Sequence, residues 1–193
     1  FLAGVVKAPS GASASYMQPY ETLREILDRL RQTYCSTIGA EYMHIQDPDQ
    51  KQWLQDRMES SMNLWPLDEA TRLRIFNRLV QAEEFEHFLH SRFVGQKRFG
   101  LEGGETNIAI LDEVLDRAAN DNAHEAVIGM AHRGRLNVLA NVVGKSMGQI
   151  FSEFEGEPDP ESVQGSGDVK YHLGASGIHR SSQGKEILVS VAF

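Results

Sequence analysis

Cysteine is nearly absent from this sequence of 193 residues, which contains Cys35 and no other thiol. An internal disulfide is therefore excluded. The N-terminus also lacks the basic segment and apolar core of a secretory signal, so we expect a reducing, cytoplasmic environment. Because Cys35 lies in an apolar helical pattern without a nearby partner for nucleophilic chemistry, we expect it to be a small buried thiol.

Long apolar runs are also missing. No stretch approaches the roughly 20 residues that a helix needs to cross a bilayer, so we expect no membrane association. Positive charge is scarce as well, because 27 acidic residues outnumber 19 basic ones and the formal net charge is −8. Such a balance argues against general binding of nucleic acid, which needs a basic surface.

The acidic residues leave one interval of the sequence empty. No Asp or Glu occurs between Glu125 and Glu153. The interval does contain four residues that carry, or can carry, positive charge: His132, Arg133, Arg135 and Lys145. An anionic ligand could bind there. The alternative, which composition leaves open, is a chance distribution over a buried strand and helix.

The first half of the chain predicts helices. Residues 1–19 are rich in Ser, Ala, Gly and Pro and are expected to form a linker or irregular segment. Residues 20–94 form the predicted helical region, because their apolar side chains recur at helical spacing. Three helices are predicted there, with starts at Leu23, Asp47 and Asp68, and the first should end by Gly39 or continue into a short successor.

From residue 95 to 193 the pattern becomes that of an α/β domain. A helix over residues 108–118 precedes a short apolar segment, 126–130, which is typical of a buried strand in a parallel sheet. A helix over 133–143 and a shorter one over 147–154 follow, then a loop over 156–168 and a strand over 186–193. This order predicts a mainly parallel sheet. Since Phe193 stands inside a strand-like run and residue 1 is not Met, we expect part of a longer protein, incomplete at both ends.

Residues 129–137 (GMAHRGRLN) join the predicted buried strand to a helix. In open α/β sheets, ligands bind at the carboxyl ends of strands, where helix N-termini favour anions. Arg133 could hold a carboxylate or phosphate through two parallel hydrogen bonds, and His132 could donate a hydrogen bond or transfer a proton near neutral pH. A structural cap, with the arginines paired to carboxylates elsewhere, fits the spacing equally well.

Two further segments could contact a ligand. Residues 165–177 (GSGDVKYHLGASG) place glycines on both sides of His172, and glycine lets the backbone approach a ligand closely. Taken alone, this segment is better interpreted as a surface loop. Residues 97–105 (KRFGLEGGE) place two cations before a helix, which suits either phosphate contact or a loop packed by Phe99 and Leu101. The sequence contains no zinc-ligand spacing, P-loop, nucleophile elbow or dinucleotide motif.

Together these segments resemble a known enzyme family. The blocks 96–104 (QKRFGLEGG), 129–139 (GMAHRGRLNVL) and 165–174 (GSGDVKYHLG) are similar, in this order, to the thiamine-diphosphate-dependent decarboxylating component of 2-oxoglutarate dehydrogenase. Residues 33–45 (TYCSTIGAEYMHI) and 53–60 (WLQDRMES) extend the resemblance, and 152–156 (SEFEG) resembles the actinobacterial multifunctional relatives. The resemblance runs from about residue 22 to the end.

The resemblance implies a fold, a cofactor and a reaction. Residues 95–193 would form the first part of a thiamine-diphosphate-binding α/β domain. Family members use thiamine diphosphate with Mg²⁺ to decarboxylate 2-oxoglutarate, and they pass the succinyl unit to a lipoyl group of the succinyltransferase component. By the same resemblance, His132 and His172 are catalytic and line the substrate pocket, Arg133 contacts both cofactor and substrate, and the protein forms a homodimer.

Part of the family's site is expected to lie elsewhere. The Gly-Asp-Gly…Asn motif that holds the metal and the diphosphate does not occur in this chain, and no residue can be assigned as the glutamate that activates the cofactor. We therefore expect no metal ligand here and no activity of the chain alone. Two alternatives remain: a multifunctional 2-oxoglutarate decarboxylase and 2-hydroxy-3-oxoadipate synthase with the same pocket, and a non-catalytic docking module built on helices of residues 20–92.

Overall fold

The structure is a computed structural model, which describes residues 5–6, 21–96, 98–155 and 174–192. For residues 5, 6 and 21 only the backbone is described. The predicted loop over 156–168, as well as Lys97 and His172, lies outside the described residues. Two structural units divide the chain, residues 1–67 and residues 68–193. This division falls before the change of composition at residue 95.

The first unit contains two helices, α1 (Leu23–Tyr34) and α2 (Pro48–Ser61). Two short strands, β1 (Val5–Val6) and β2 (Glu21–Thr22), pair in antiparallel fashion. The predicted start of α2 is confirmed, because the Asp47 side chain accepts hydrogen bonds from the backbone N–H groups of Asp49 and Gln50. Such a cap satisfies amide donors that the first helical turn leaves unpaired.

Two expectations for the end of α1 were wrong. The helix stops at Tyr34, because Cys35 leaves the helical backbone region, and it does not extend to Gly39. Cys35 is exposed rather than buried. The buried position is instead Thr33, whose backbone carbonyl accepts a hydrogen bond from the Asn63 side chain. The apolar pattern predicted the helix correctly but not which side of its last turn is covered.

The second unit opens with a long helix, α3 (Glu69–Arg92), followed by α4 (Thr106–Asn120). The predicted start at Asp68 is confirmed, and the Asp68 side chain caps the helix by accepting a hydrogen bond of 2.7 Å from the Thr71 backbone N–H. Ion pairs between Arg74 or Arg78 of α3 and the buried Asp112 of α4 tie the two helices together. Among the described residues, no helix combines the length and the apolar character needed to cross a membrane.

Three strands of the second unit form one sheet: β3 (Glu125–Gly129), β4 (Ala175–Arg180) and β5 (Glu186–Ala192), in the order β3-β5-β4. β3 runs parallel to β5, whereas β4 runs antiparallel to it. The described sheet is therefore mixed, which corrects the prediction of a mainly parallel one. Its antiparallel pair arises from a tight turn in which the Gly184 N–H bonds the Ser181 carbonyl at 2.9 Å.

The strand β3 is less buried than its apolar sequence predicted. Val127 is 64% exposed, and exposed and half-buried side chains alternate along β3. The predicted helix after this strand is confirmed but begins at Arg135, two residues later than expected. It consists of α5 (Arg135–Val138) and a π-helical turn (Leu139–Val143), and it ends at Gly144, as predicted.

The last described helix is α6 (Met147–Glu155). Two apolar clusters form the core of this unit. The first lies between α4, the π-helical turn and β5, and includes Ile108, Leu139 and Val189. The second lies between α3, α5 and α6, and includes Leu89, Leu136 and Ile150. Side chains of α5 and of the π-helical turn, which follow β3 in the sequence, belong to both clusters.

Candidate functional site

The segment between β3 and α5 forms a tight turn at the carboxyl end of the strand. The Arg135 N–H bonds the His132 carbonyl at 3.1 Å, which closes a turn of residues 132–135. Gly134 occupies the third position with φ 75° and ψ 0°, the conformation that a type II turn requires there. His132 and Arg133 therefore precede the helix instead of forming its first turn, and both are exposed.

Gly134 is required for its backbone conformation, and it lies close to the end of the Leu101 side chain. Its N–H donates to the Phe99 carbonyl at 2.8 Å, which brings residues 98–105 against the turn. A Cβ atom at this position would stand 2.6 Å from Cδ1 of Leu101. The segment around Phe99 and the segment around His132, which were singled out separately in the sequence, are thus in direct contact.

Replacing Gly134 with alanine is expected to weaken the turn by about 1.5 kcal/mol, since left-handed strain adds to the smaller cost of moving the end of the Leu101 side chain. Gly144 is a matched control, because it has φ 83° but no neighbouring atom within 4 Å of the place that a Cβ would occupy. Gly144→Ala should cost about 1 kcal/mol from backbone strain alone. Thermal unfolding of the two variants measures the difference. Equal losses would contradict the role of the Leu101 contact.

The ring of Phe99 lies against His132. The two ring centroids are 4.3 Å apart and the planes are inclined by 49°. Phe99 itself has a positive φ of 39°, which is unusual for a residue other than glycine. The structure thus bears out the packed-loop interpretation for Phe99 and also places its ring on a histidine of the candidate site.

Arg98 does not provide a free cation for a phosphate. Its guanidinium donates to the Glu86 carboxylate at 3.0 Å and to the Glu86 carbonyl at 3.1 Å. It also pairs with Glu102 and lies 3.2 Å from Nδ1 of His90. These contacts anchor residues 98–105 to α3, so the arginine positions this loop within the protein.

A buried polar network, which the sequence analysis missed, lies beneath the turn. The Asn137 amide is fully buried and donates to the Ala82 carbonyl at 2.9 Å and to Glu86 at 3.0 Å. Its oxygen accepts a hydrogen bond of 2.7 Å from Asn141. Burial raises the pKa of Glu86, although the hydrogen bonds from Asn137 and the Leu101 backbone favour the carboxylate. The signal in the sequence was a glutamate between the apolar positions of α3.

The two arginines of the turn have different surroundings. Arg135 is buried and donates to the carbonyl groups of Met130 and Ala192, so it joins the ends of β3 and β5. Burial lowers the pKa of its guanidinium. Arg133, by contrast, forms no ion pair or side-chain hydrogen bond with any residue that the structure describes. Arg133 can therefore meet an anion, whereas Arg135 stabilises the sheet.

The structure thus brings together two of the three predicted site residues, His132 and Arg133. His172 lies outside the described residues, and its place in the site remains a prediction. Within the described ranges, no group of three or more His, Cys, Asp and Glu side chains is arranged to hold a metal ion. The described part of the site is therefore a cationic corner with one histidine at the end of a strand.

The fold and this corner define a class of protein: a mixed α/β unit with an exposed histidine and arginine at the carboxyl end of a strand, the place where open α/β sheets usually bind ligands. No family model matches the chain. It is 52% identical over 160 residues to the multifunctional 2-oxoglutarate metabolism enzyme of Mycolicibacterium vanbaalenii, an alignment that covers 83% of this chain and 13% of that protein.

Two further relatives agree. The 2-oxoglutarate dehydrogenase E1/E2 component of Corynebacterium glutamicum is 51% identical over 88% of this chain and 14% of its own length. The E1 component of Brucella ovis is 46% identical over 89% of this chain and 17% of its own length. These identities, 46% to 52% over most of this chain, confirm the resemblance to 2-oxoglutarate dehydrogenase E1 components. The chain spans only 13% to 17% of these relatives.

Proposed function

We propose that this chain supplies one side of the substrate pocket of a 2-oxoglutarate dehydrogenase E1 component, which oxidatively decarboxylates 2-oxoglutarate. The observation that carries the proposal is the exposed pair of His132 and Arg133 at the end of β3. Arg135, two residues further, is buried and engaged with backbone carbonyls, so the turn presents one guanidinium outwards. High identity to E1 components supports the same interpretation.

The substrate explains why separate polar groups are needed. 2-Oxoglutarate carries a carboxylate at each end, and both ends must be held for the keto carbon to be positioned. Arg133 can grip one anionic group in a bidentate manner, and His132 can donate a hydrogen bond to another. His172 is proposed as a third group of the pocket, by its place in the family motif. Pyruvate would leave donors for the distal carboxylate unpaired.

The cofactor implied by the family is thiamine diphosphate with Mg²⁺, and it would supply the electron sink for decarboxylation. The residues present fit it in part, since the exposed guanidinium of Arg133 suits an anionic group of cofactor or substrate. The described residues offer no cluster for the metal ion. We therefore propose that the metal ligands belong to other parts of the protein.

The proposal extends to partners and location. The succinyl unit would pass to a lipoyl-bearing succinyltransferase component, and the protein would act as a homodimer in the cytoplasm. A second candidate function is the multifunctional type of 2-oxoglutarate metabolism. It is supported by the 52% identity to the Mycolicibacterium vanbaalenii enzyme, which is close to the 51% identity to the Corynebacterium glutamicum E1/E2 component.

His132→Ala in the complete protein is expected to lower kcat/KM for 2-oxoglutarate about thirtyfold, because a hydrogen bond to a charged group contributes about 2 kcal/mol. The affinity for thiamine diphosphate should change less than about threefold by the same reasoning, since the lost bond is to the substrate. Steady-state kinetics with an artificial electron acceptor and titration with the cofactor measure the two quantities. His124→Ala, an exposed histidine just before β3, is the control.

Activity assays of the unmodified protein test the proposed reaction directly. Activity with 2-oxoglutarate and little with pyruvate is expected. No activity with either 2-oxo acid, in a protein that binds thiamine diphosphate, would overturn the proposed reaction. Equal losses of substrate use and cofactor affinity in His132→Ala would contradict the role of this histidine. Full activity in both His132→Ala and His172→Ala would favour the docking module.

A further inference from the structure

We propose that Phe99 is a positioning residue, which holds the imidazole of His132 in the orientation that the substrate pocket requires. This inference rests on the proposed function. Phe99 would act through the histidine that its ring contacts. The segment that carries it, residues 97–105, was singled out in the sequence for phosphate contact, and the structure shows that Arg98 is engaged elsewhere.

The first argument is the geometry of the two rings. Their centroids are 4.3 Å apart at an inclination of 49°, so the phenyl ring covers part of one face of the imidazole. Aromatic pairs attract each other at this range in tilted arrangements. His132 is otherwise an exposed side chain on a turn, and such a side chain samples several rotamers. The contact with Phe99 restricts that freedom before any substrate arrives.

The second argument is that Phe99 holds the turn by its backbone as well as by its ring. Its carbonyl accepts the Gly134 N–H at 2.8 Å, two residues beyond the histidine that the ring contacts. Phe99 presents its ring and its carbonyl to the same turn while its φ is 39°, in the left-handed region. A residue with a bulky side chain remains in this conformation only when its surroundings enforce it.

The surroundings of Phe99 are rigid on both sides. Arg98 is tied to Glu86 and Glu102, and the Leu101 side chain packs under Gly134. Phe99 itself packs against the second apolar cluster. The ring is thus fixed to the core of the unit and can transmit that rigidity to His132. Side chains that act on a substrate benefit from such support, because small displacements reduce the rate strongly.

A double-mutant cycle in the complete protein tests the functional part of the proposal. Phe99→Leu should lower kcat/KM for 2-oxoglutarate about fivefold, as expected for the loss of one aromatic contact. Phe99→Tyr keeps the flat ring and should remain near the unmodified protein. In a His132→Ala background, Phe99→Leu should have no further effect, because the residue through which it acts is gone. The same fivefold loss in both backgrounds would overturn the positioning role.

Chemical modification tests the contact independently of activity. Diethyl pyrocarbonate reacts with accessible imidazole nitrogens, and mass spectrometry identifies the modified histidine. Phe99→Leu and Phe99→Met should each change the rate of modification of His132 severalfold and leave the rate of modification of His124 unchanged. Unchanged rates at His132 in whichever of these variants folds would overturn the contact.

The two failures are distinguishable. If the unmodified protein uses no 2-oxo acid, the proposed function fails, while the modification rates still report on the contact between Phe99 and His132. If the unmodified protein is active and the cycle is additive, only the positioning role of Phe99 fails. A fall in the unfolding temperature shared by Phe99→Leu and Phe99→Tyr, with additive kinetics, would assign Phe99 to packing alone.

Discussion

Gly177→Ala is expected to separate β4 from the π-helical turn and to destabilise the second unit by about 3 kcal/mol, at the upper end for overpacking. A Cβ at Gly177 would stand 2.0 Å from the carbonyl oxygen of Val143 and 3.1 Å from its carbonyl carbon. These are backbone atoms of a buried turn, so no side chain can rotate away. Either the strand or the turn must move.

Hydrogen exchange measured by mass spectrometry checks this prediction in the complete protein. Peptides that cover β4 and the π-helical turn should exchange about a hundredfold faster, because exchange reports the free energy of local opening. Gly129→Ala is the matched control, since Gly129 also lies in a strand and no atom comes within 4 Å of its Cβ position. Unchanged protection in Gly177→Ala would mean that the close approach to Val143 is not maintained in solution.

Glu86→Ala is expected to have a comparable effect, about 3 kcal/mol, by breaking the buried network beneath the candidate site. Removing Glu86 takes away one of the two carboxylates that pair with Arg98 and leaves a buried amide donor without one of its acceptors, which costs the desolvation of these groups. The losses would be the carboxylate that pairs with Arg98 at 3.0 Å and the acceptor of the Asn137 amide, also at 3.0 Å. Because Arg98 anchors the segment that carries Phe99, we expect the turn at His132 to loosen as well.

The measurement is again local hydrogen exchange, over α5 and the 97–105 segment. Glu83→Ala provides the control, because Glu83 lies on the same helix but is exposed, where such changes usually stay within about 0.5 kcal/mol. Faster exchange confined to the ends of α3, with α5 unaffected, would show that the network does not support the turn.

The contribution of Glu86 to the stability of the protein changes with pH in a definite direction. Burial raises the pKa of Glu86 above its ordinary 4.5, so the folded state binds this proton more tightly than the unfolded state does. The associated stability is complete below pH 4.5 and is lost as the pH rises through the raised pKa of the folded state. Glu86→Gln cannot titrate. Relative to this variant, the unmodified protein should therefore become less stable as the pH increases across that window.

Features that depend on neighbouring residues could be predicted from the sequence. Helix starts are of this kind, because an Asp side chain caps amide groups two or three residues away, as at Asp47 and Asp68. The end of a strand followed by His132 and Arg133 was likewise a local pattern. The strand β4 was not predicted, because its sequence lacks an apolar alternation and its position depends on contacts with β5 and the π-helical turn.

The network beneath the site could not be predicted for the same reason. Asn137 and Glu86 are 51 residues apart in sequence, and each alone resembles an ordinary helix residue. Cys35 was placed on the wrong side of α1 because the helical pattern does not say which partner covers the last turn. His132 and Arg133 were found by local pattern and family resemblance. The contact between Phe99 and His132 could not be predicted, because the two residues are distant in sequence and meet only in the folded chain.

The π-helical turn restricts how many residues the segment Leu139–Val143 can contain. A π-turn contains one residue more than an α-turn, and here the turn ends where Val143 meets Gly177. The extra residue of the π-turn helps to set which carbonyl stands opposite Gly177. Deleting a single residue between 139 and 143 would replace the π-turn by an α-turn and change the backbone around that carbonyl. Insertions and deletions among homologues should therefore avoid this segment, even where the identities of its residues drift.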